Sequence, residues 1–329
     1  MRKVGLLIAG LDGAVASTIV AGLALMRRGL AEPQALISEN YRQSHQLVDF
    51  ENLVVAGWDA RRETLFEAAH RNRVLDRERL QPVSKELNRL KPWPASSDKI
   101  ASFRRQHQLD TVVLLNLLPT GKDAESQTYA KLAARHDCPF INFTPNDCAV
   151  SDSIPYCGRD GKTGQTWLKS VLAPALRARQ LRVTGWYSTN LLGNEDGKIV
   201  GDPVKGRAKI RDKSKLLAEM LGYEPHHTVA INYYPPRGDN KESWDAIDVE
   251  GFLGMPMQIK VNALYRDSIL AAPMCLDLCR FMDYAHGQKL KGPQTWLSLF
   301  FKAPYNNPTH DFHRQERLLR EFLNPCAAC

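Results

Sequence analysis

The sequence predicts an α/β protein in which a doubly wound parallel sheet carries an inserted, smaller α+β segment. An apolar run from Val4 to Ala9 leads through a glycine-containing turn into a helix expected from about Ser17 to Arg28. Apolar strands and helical segments then alternate as far as Phe143, which is typical of a parallel sheet with crossover helices. From about Arg182 strand-like runs dominate, and this change of pattern indicates the second segment.

The first half of the chain supplies the elements of the predicted sheet. After the first strand, buried strands are expected at Leu53–Ala56, Thr111–Leu115 and Pro139–Phe143. Helical spacing covers residues 60–74 and 122–136, and a further helix is expected at Trp167–Arg179. The stretch from Pro82 to Pro94 is polar and interrupted by proline, so we expect a loop there.

The second half supplies the elements of the inserted segment. Strands are expected at Arg182–Tyr187, Thr228–Tyr233 and Gln258–Leu264, and helices at Ala208–Leu221 and Ser268–Ala285. The stretch from Asn190 to Gly197 is rich in Asn, Gly and acidic residues, which favour turns. It also has the groups to place amides and Asp196 against sugar hydroxyls or a cation.

The composition is that of a soluble enzyme. The chain has 329 residues, of which 43% are hydrophobic and 24% charged, enough for one large core or two interlocked domains. Residues 1–9 lack a small-residue cleavage site, and no apolar stretch is long enough to span a bilayer. We therefore expect a cytoplasmic protein without a membrane partner.

The formal net charge of +8 leaves two kinds of partner to consider. Nucleic acid is disfavoured, because no basic run with interleaved aromatic residues and no zinc-finger or RNP-like signature is present. Lysines and arginines around an active site would instead attract an anionic small molecule. The seven cysteines form no disulfide or zinc pattern.

The turn after the first strand has the features of a dinucleotide-binding turn. Strand, glycine turn and helix are the opening of a Rossmann-like unit, here with Gly10, Gly13 and Ala14 in the turn. Ala16 stands where a third glycine is expected, and the carboxylate of Asp12 would repel a pyrophosphate unless it pointed away. A tight turn without a ligand stays open as the alternative.

Asp59 strengthens the dinucleotide interpretation. It ends the second strand, where a carboxylate accepts hydrogen bonds from the adenosine ribose hydroxyls. It lies further along the chain than usual, so an insertion has to be assumed. A carboxylate at this position favours NAD over NADP, because it would repel a 2′-phosphate.

A second glycine-containing segment precedes a predicted helix. Residues 158–166 include Gly-Lys-Thr, which resembles part of a phosphate loop, but the full Walker spacing is absent. Free backbone N–H groups at a helix start bind anions, so Thr163, Gly164, Gln165 and Thr166 are candidates to hold a phosphate group. An ordinary loop with a threonine N-cap is the alternative.

Lysines are the third chemical feature. Lys209 and Lys213 are four residues apart and share one face of the predicted helix. Lys241 lies in a predicted turn, Gly238–Lys241, and Lys302 stands among Phe300, Phe301, Ala303 and Pro304. A solvated basic face is the alternative for the first pair, whereas clustering and partial burial would lower the pKa of a lysine and make it available as a base.

Taken together, these segments resemble the inositol-phosphate synthases, in their shorter prokaryotic form, over nearly the whole chain. One block would be weak support, but eight in the same order are specific. The matching blocks are Gly57–Asp59, Ile141–Pro145, Asp160–Thr166, Gly185–Gly197, Lys209 with Lys213, Gly238–Lys241, Asp267–Pro273 and Phe301–Pro304.

The resemblance implies a particular domain arrangement. A Rossmann-like NAD-binding domain would comprise residues 1–170 and 266–329, and residues 171–265 would form an inserted catalytic and tetramerisation domain. It also implies a homotetramer that acts on a small phosphosugar.

The resemblance further implies an isomerising cyclase that converts D-glucose 6-phosphate to 1D-myo-inositol 3-phosphate. The C5 hydroxyl would be oxidised to a ketone, an enolate formed at C6 would attack the C1 aldehyde, and the ketone would be reduced again, with NAD recycled.

The resemblance also assigns residues to this chemistry. Lys209 and Lys302 would serve the C5 oxygen, Lys213 and Lys241 would lie near the phosphate group or the C1 oxygen, and the segment from Thr163 to Thr166 would cradle the phosphate. Asp160, Asp196 and Asp267 would position lysines, the nicotinamide or a cation. The cofactor-binding residues would be Gly10, Asp12, Gly13, Ala14, Asp59, Asn116, Asp160 and Asp267.

Two departures from the family pattern touch the cofactor. The segment Ala14–Ala16 replaces an asparagine- and glycine-rich turn, and Leu117–Gly121 is not the usual stretch after the third strand. They leave open an altered NAD affinity, a related cyclase or oxidoreductase for another phosphosugar, and a non-catalytic NAD-binding protein. A divalent metal or ammonium ion also stays open.

Overall fold

The computed structural model of the protein describes residues 2–193, 216–306 and 309–324, and the chain divides into two compact units. The first comprises Met1–Gly161, Ala271–Pro308 and Leu319–Cys329, and the second Lys162–Leu270 and Thr309–Leu318. The sequence analysis places the inserted domain at residues 171–265. The assignment of the intervening segment to catalysis and tetramer assembly stays a prediction.

The first unit is built on a parallel sheet, which confirms the predicted α/β fold class. In the described part of the chain its strand order is β3-β2-β1-β4-β5-β6-β11, and neighbouring strands run parallel. The strands are β1 Val4–Ala9, β2 Leu53–Asp59, β3 Trp93–Pro94, β4 Thr111–Asn116, β5 Phe140–Asn142, β6 Pro155–Gly158 and β11 Gly292–Pro293. Side chains of β1 and β4 are buried throughout, which explains why these strands are continuous apolar runs.

Helices connect the strands of this sheet. They are α1 Ala14–Arg27, α2 Leu65–Asn72, α3 Arg77–Leu80, α4 Ser84–Arg89, α5 Ile100–His107 and α6 Asp123–Arg135. Two later helices, α8 Asp267–Gly287 and α9 Phe312–Leu323, have residues in both units. Short 3₁₀ turns lie at Ile37–Tyr41, Phe50–Asn52, Gln81–Val83, Pro235–Arg237, Phe252–Gly254 and Thr295–Phe300.

Two predictions for the first unit were wrong in detail. The stretch from Pro82 to Pro94 is not a loop, because it contains α4 and β3. The helix expected over residues 60–74 is confined to α2, which starts after Thr64. That threonine and Glu67 form a capping box, in which each side chain bonds the other's backbone N–H.

The second unit contains a mixed sheet in the order β10-β9-β7-β8. Its strands are β7 Arg182–Leu192, β8 His226–Tyr233, β9 Asn240–Glu250 and β10 Pro256–Arg266. β7 pairs with β8 in parallel, whereas β9 is antiparallel to both β7 and β10. Helix α7, Gly164–Ala178, shares a buried core with this sheet through Ala173, Leu176, Trp186, Ile247 and Val249.

The sequence missed β9 and part of β7. Lys241 was placed in a turn but lies in β9, and Asn190–Leu192 continue β7 where a turn was expected. Of the helix expected at Ala208–Leu221, residues 216–221 are helical and the rest lies outside the described residues.

Close approach of β1 and β2 requires a glycine at position 57. A Cβ atom built there would lie 2.0 Å from the carbonyl oxygen of Ile8, its partner in the strand register. Gly22, inside α1, has no atom within 4 Å of such a Cβ, so it serves as a matched control.

We therefore expect Gly57→Ala and Gly22→Ala to change stability in opposite directions. Gly57→Ala should destabilise the fold by about 1–3 kcal/mol or more, the range for overpacking a filled interior. Gly22→Ala should stabilise it by about 0.5–1 kcal/mol, since alanine loses less backbone entropy in a helix. Urea unfolding measures both, and equal effects of the two variants would contradict the packing described.

Candidate functional site

The carboxyl ends of β1, β2 and β4 form the first part of the candidate site. The strand order of the first unit reverses between β1 and β4, because the chain passes from β1 to β2 and β3 before returning to β4 on the other side. In open α/β sheets, ligands bind in the crevice at this point of reversal. Gly10, Asp59 and Asn116, all predicted site residues, follow or end these strands.

The N–H groups of residues 10–13 are bonded within the protein, so the turn offers a ligand only the N–H groups at the start of α1. Gly10 has a φ of +92°, and a Cβ there would lie 2.8 Å from the carbonyl oxygen of Leu117, so the turn packs directly on the loop after β4. Helix α1 begins at Ala14 with Gly13 as N-cap, has no side-chain cap and no acidic residue in its first turn. Its unpaired N–H groups suit a phosphate anion.

Asp59 holds this turn in place. Its Oδ2 accepts the backbone N–H of Asp12 at 3.1 Å, and its Oδ1 accepts that of Ala60 at 2.7 Å. A carboxylate has about four acceptor sites, so hydrogen bonds from ribose hydroxyls are compatible with these contacts.

Asp12 is a buried carboxyl group in the turn. Burial, together with the neighbouring Asp59, raises the pKa of Asp12 to about 7, while Arg71 acts in the opposite direction. Arg71 Nη2 lies 3.6 Å from Asp12 Oδ2, and Asn72 donates to the Asp12 carbonyl. A partly protonated and ion-paired carboxyl group reduces the repulsion expected between Asp12 and a pyrophosphate.

Asn116 lies beneath the site with its side chain turned inward. The side chain is fully buried, and its Nδ2 donates to Ser126 Oγ at 3.0 Å and Asn142 Oδ1 at 3.2 Å. Its Oδ1 accepts the backbone N–H of Leu118 at 3.2 Å. These bonds orient the loop after β4, so we propose that Asn116 acts on a cofactor through this loop.

Asp160 and Lys302 are brought together at the end of β6. Lys302 Nζ donates to Asp160 Oδ1 at 2.9 Å, and the Lys302 backbone N–H donates to the Asp160 carbonyl at 2.7 Å. Asp160 has a φ of +60°, and its own N–H donates to the carbonyl of Thr144. The lysine that stands out in an apolar segment of the sequence is therefore paired with a carboxylate and remains 26% exposed.

In the second unit, the start of α7 forms the predicted phosphate cradle. Thr163 is the N-cap and makes no side-chain cap, so the first N–H groups of the helix have no side-chain acceptor there. Gly164 has a φ of +58°, and a Cβ at this position would lie 3.7 Å from Lys241 Cδ and 3.8 Å from Asp267 Oδ1. Two predicted site residues thus border the cradle, while Thr166 is half-buried in the first turn.

Lys241 lies among carboxyl groups. Its Nζ is 3.5 Å from Asp267 Oδ2. Burial raises the pKa of Asp239, and the nearby Asp267 acts in the same direction. Asp239 Oδ1 accepts a hydrogen bond from Ser268 Oγ at 2.7 Å. Asp239 Oδ2 and Asp267 Oδ1 are buried and make no hydrogen bond to any described residue.

The side chain of Gln165 faces the protein interior. Its Nε2 donates to Asp245 Oδ2 at 2.8 Å, and its Oε1 accepts from Asn190 Nδ2 at 2.8 Å. Gln165 therefore has only its backbone N–H available to a phosphate group. Lys209, Lys213 and Asp196 lie outside the described residues.

Three buried charged residues of the second unit were missed by the sequence interpretation. Asp245 lies in β9, and burial lowers the pKa of Lys162 to about 7 and that of Lys169 to about 8. Lys162 donates to Gln315, and Lys169 Nζ lies 2.8 Å from His227 Nε2. In β9 only Ile247 and Val249, which alternate with Asp248 and Glu250, give a period-two signal.

The described residues contain neither a cluster of metal ligands nor a membrane-spanning helix. Within residues 2–193, 216–306 and 309–324, no three His, Cys, Asp or Glu side chains are grouped to hold a metal ion. Over the same ranges no helix is long and apolar enough to cross a membrane.

Comparison with known proteins identifies relatives over the whole chain. Two family models described as myo-inositol-1-phosphate synthase match residues 164–268 and 37–113, and the second is an NAD-binding model. The inositol-3-phosphate synthase 1 of Bacteroides thetaiotaomicron is 35% identical, in an alignment covering 98% of this chain and 95% of that protein.

Solved structures share the fold. The inositol-3-phosphate synthase of Caenorhabditis elegans superposes with a TM-score of 0.83 at 22% identity, covering 98% of this chain and 85% of that one. A myo-inositol-1-phosphate synthase-related protein from Thermotoga maritima gives a TM-score of 0.73 at 20% identity, covering 98% of both chains.

The raised pKa of Asp12 predicts a pH-dependent effect of Asp12→Asn on stability. The folded-state pKa of about 7 exceeds the ordinary 3.8, so stability from the protonated group is complete below about pH 4 and is lost as pH rises through 7. Asparagine cannot ionise. The variant should therefore gain about 1–3 kcal/mol relative to wild type between pH 5 and pH 8.

Thermal unfolding at a series of pH values measures this difference. Glu224→Gln, at an exposed carboxylate, is the control and should show no such trend. A difference between Asp12→Asn and wild type that does not change with pH would show that Asp12 is ionised throughout.

Proposed function

The chain belongs to the myo-inositol-1-phosphate synthase family, and we propose that it converts D-glucose 6-phosphate to 1D-myo-inositol 3-phosphate with NAD recycled in every turnover. The pairing of Lys302 with Asp160, at the carboxyl end of a sheet with dinucleotide-binding strand order, is the observation that carries the proposal. The pair would supply a proton-bearing group for hydride chemistry on a sugar.

The residues of the first unit fit NAD. The N–H groups at the start of α1 suit the pyrophosphate, and the Asp59 carboxylate suits the ribose hydroxyls. When bound, NAD would supply the acceptor, and then the donor, of a hydride at C5. Asp12 and the segment from Ala14 to Ala16 would set the affinity for the cofactor.

Lys302 would hold the proton of the C5 oxygen. As a neutral amine it would take this proton when C5 is oxidised. The ammonium group so formed, paired with Asp160, would stabilise negative charge on the oxygen and return the proton on reduction. Asp160 would orient the amine, because it bonds both the backbone N–H and the Nζ of Lys302. Lys209 would share the proton transfer at C5.

The second unit would hold the phosphate group. The first N–H groups of α7 would donate to its oxygens, and the Lys241 ammonium, which borders the cradle at Gly164, would add a cation. Lys213 would join them. Asn190, turned toward the same end of α7 through Gln165, would accept a hydrogen bond from a sugar hydroxyl, and Asp196 would belong to the same segment.

A bound cation fits the carboxyl groups beside Lys241. Asp239 Oδ2 and Asp267 Oδ1 are buried without a hydrogen bond to a described residue, and a cation would neutralise them. Among the described residues no third carboxylate, His or Cys joins them. The pair therefore suits an ammonium or monovalent ion better than a divalent metal held by protein ligands alone.

We also propose assembly into a homotetramer located in the cytoplasm. Large apolar side chains are exposed along the edge strand β10 and the turn before it, including Met257, Leu264, Phe252 at 87% and Leu253 at 81%. Exposed apolar groups on an edge strand are typical of a surface covered in an assembly.

Action on a different phosphosugar is the second candidate. The observation that favours it is the segment Ala14–Ala16, which departs from the family pattern next to the predicted cofactor site. Analysis of the product distinguishes glucose 6-phosphate from another phosphosugar as the substrate, because each phosphosugar yields its own product.

NAD should act catalytically. With NAD at one-hundredth of the glucose 6-phosphate concentration, we expect nearly full conversion to a periodate-labile cyclitol phosphate, without a rise in NADH absorbance at 340 nm. The physical reason is that oxidation and reduction occur at the same carbon in one turnover. NADH released in proportion to substrate consumed would instead identify a simple dehydrogenase.

Lys302→Ala should lower turnover about 10²-fold or more, the scale for losing a group that transfers a proton or stabilises an oxyanion. NAD affinity and the unfolding midpoint should stay near wild type. Lys302→Arg should not restore turnover, because arginine keeps its protons. The control is Lys291→Ala at an exposed lysine. A folded Lys302→Ala enzyme with turnover like that control would remove Lys302 from the reaction.

A further inference from the structure

One face of the sheet in the second unit changes from apolar to polar as it approaches the start of α7. On β9, Ile247 and Val249 belong to the core shared with α7, whereas Asp245, Ser243 and Lys241 continue the same face. The register places Asp245 opposite Ser188 and Ser243 opposite Asn190. The polar end of this face therefore lies beneath the helix turn that forms the phosphate cradle.

Asp245 is a buried acceptor surrounded by donors. It is fully buried, and its Oδ1 accepts from Trp186 Nε1 at 2.8 Å and from Ser188 Oγ at 2.6 Å. Its Oδ2 accepts from Gln165 Nε2 at 2.8 Å. The Asp245 carboxylate also acts on the buried amine of Lys169, opposing the lowering of the Lys169 pKa by burial.

The Asp245 carboxylate determines the orientation of two buried amide groups, those of Gln165 and Asn190. An ionised carboxylate only accepts hydrogen bonds, so Gln165 must turn its NH₂ group toward Asp245 and its oxygen toward Asn190. Asn190 in turn must direct its NH₂ group to Gln165. Its Oδ1 is then left as an acceptor, and it is buried without a hydrogen bond to any described residue.

We propose that Asp245 is a positioning residue that fixes Asn190 as a hydrogen-bond acceptor for one hydroxyl of the phosphosugar, acting through Gln165. The inference rests on the proposed function and deepens it, since it states the polarity of one substrate contact. A buried acceptor without a partner is costly, and a hydroxyl that donates to Asn190 Oδ1 removes this cost.

Asp245→Asn reverses the polarity of this series of hydrogen bonds while each bond between Asp245, Gln165 and Asn190 keeps a donor and an acceptor. The asparagine oxygen still accepts from Trp186 and Ser188, but its NH₂ group now faces Gln165. Gln165 and Asn190 then both turn over, and Asn190 presents its NH₂ group where its oxygen was. Adding Gln165→Glu restores the original polarity, because the new carboxylate accepts from both neighbours and the total charge matches wild type.

Deoxyfluoro analogues of D-glucitol 6-phosphate detect this polarity. Glucitol has no aldehyde at C1 and cannot cyclise, and fluorine accepts weakly but cannot donate a hydrogen bond. Binding of the parent and of its 2-, 3- and 4-deoxyfluoro forms to the NADH-bound protein is measured by isothermal titration calorimetry. For wild type we expect one position at which fluorine weakens binding about 10-fold or more, the scale of a lost hydrogen bond to a buried acceptor.

At that position the loss of affinity caused by fluorine should fall to about 3-fold or less in Asp245→Asn and return in Gln165→Glu/Asp245→Asn. Loss of stability alone would not produce this pattern of coupling. If Asp245→Asn does not fold, Gln165→Met is the second variant. It removes the hydrogen bonds that link Asp245 to Asn190 and should also reduce the loss of affinity caused by fluorine. Dissociation constants for NADH should be unchanged in every variant.

Two results would overturn the inference while leaving the proposed function intact. One is an unchanged fluorine penalty in folded Asp245→Asn, and the other is wild-type binding of all three fluoro analogues as tight as the parent. Wild-type protein that binds no glucitol 6-phosphate and forms no cyclitol phosphate would remove the proposed function, and the inference with it.

Discussion

The pairing of Lys302 with Asp160 is the interaction on which the proposed chemistry of this protein depends. The two residues are 142 positions apart, and backbone bonds between Arg159 and Ala303 and between Lys302 and Asp160 align their segments. Phe300 and Phe301, which precede the lysine, are 2% and 1% exposed. A lysine anchored next to such residues needs a counter-charge, and Asp160 supplies it while leaving the ammonium group partly open to a ligand.

In the second unit a buried carboxylate is paired with neutral donors instead of a counter-charge. Where the apolar core under α7 ends, the sheet continues with buried polar side chains, and Asp245 satisfies three donors at once. Buried polar groups that are fully paired hold their neighbours in one arrangement. We infer that this rigidity lets the first turn of α7 present its N–H groups to a phosphate in a defined orientation.

The sequence predicted those elements whose burial is uniform. β1, β4 and α6 carry continuous or periodic apolar residues, so their positions are predicted within a few residues. β9 was missed because three residues on its inward face, Lys241, Ser243 and Asp245, are polar, and polar residues on a buried face do not match a strand pattern. Asn190 is also a polar residue in a strand. Its partner Gln165 is not revealed by the local sequence, so a turn was predicted there.

The sequence named residues of the candidate site but did not predict the contacts between them. The family resemblance named Lys302, Asp160, Lys241 and Asp267, and the structure brings together Lys302 with Asp160 and Lys241 with Asp267. Such pairs depend on chain segments far apart in sequence, so spacing alone does not predict them. The burial that raises the pKa of Asp12 likewise depends on the packing of α2 against the turn.

The proposed chemistry returns to C5 the hydride that was taken from it, without release of the reduced cofactor. D-Glucose 6-phosphate deuterated at C5 tests this most directly, with the product analysed by mass spectrometry and NMR. We expect the cyclitol phosphate to retain the deuterium in full at the carbon derived from C5, and added unlabelled NADH to leave this unchanged. Deuterium lost to solvent, or found in free NADH, would contradict an oxidation and reduction carried out by one bound cofactor.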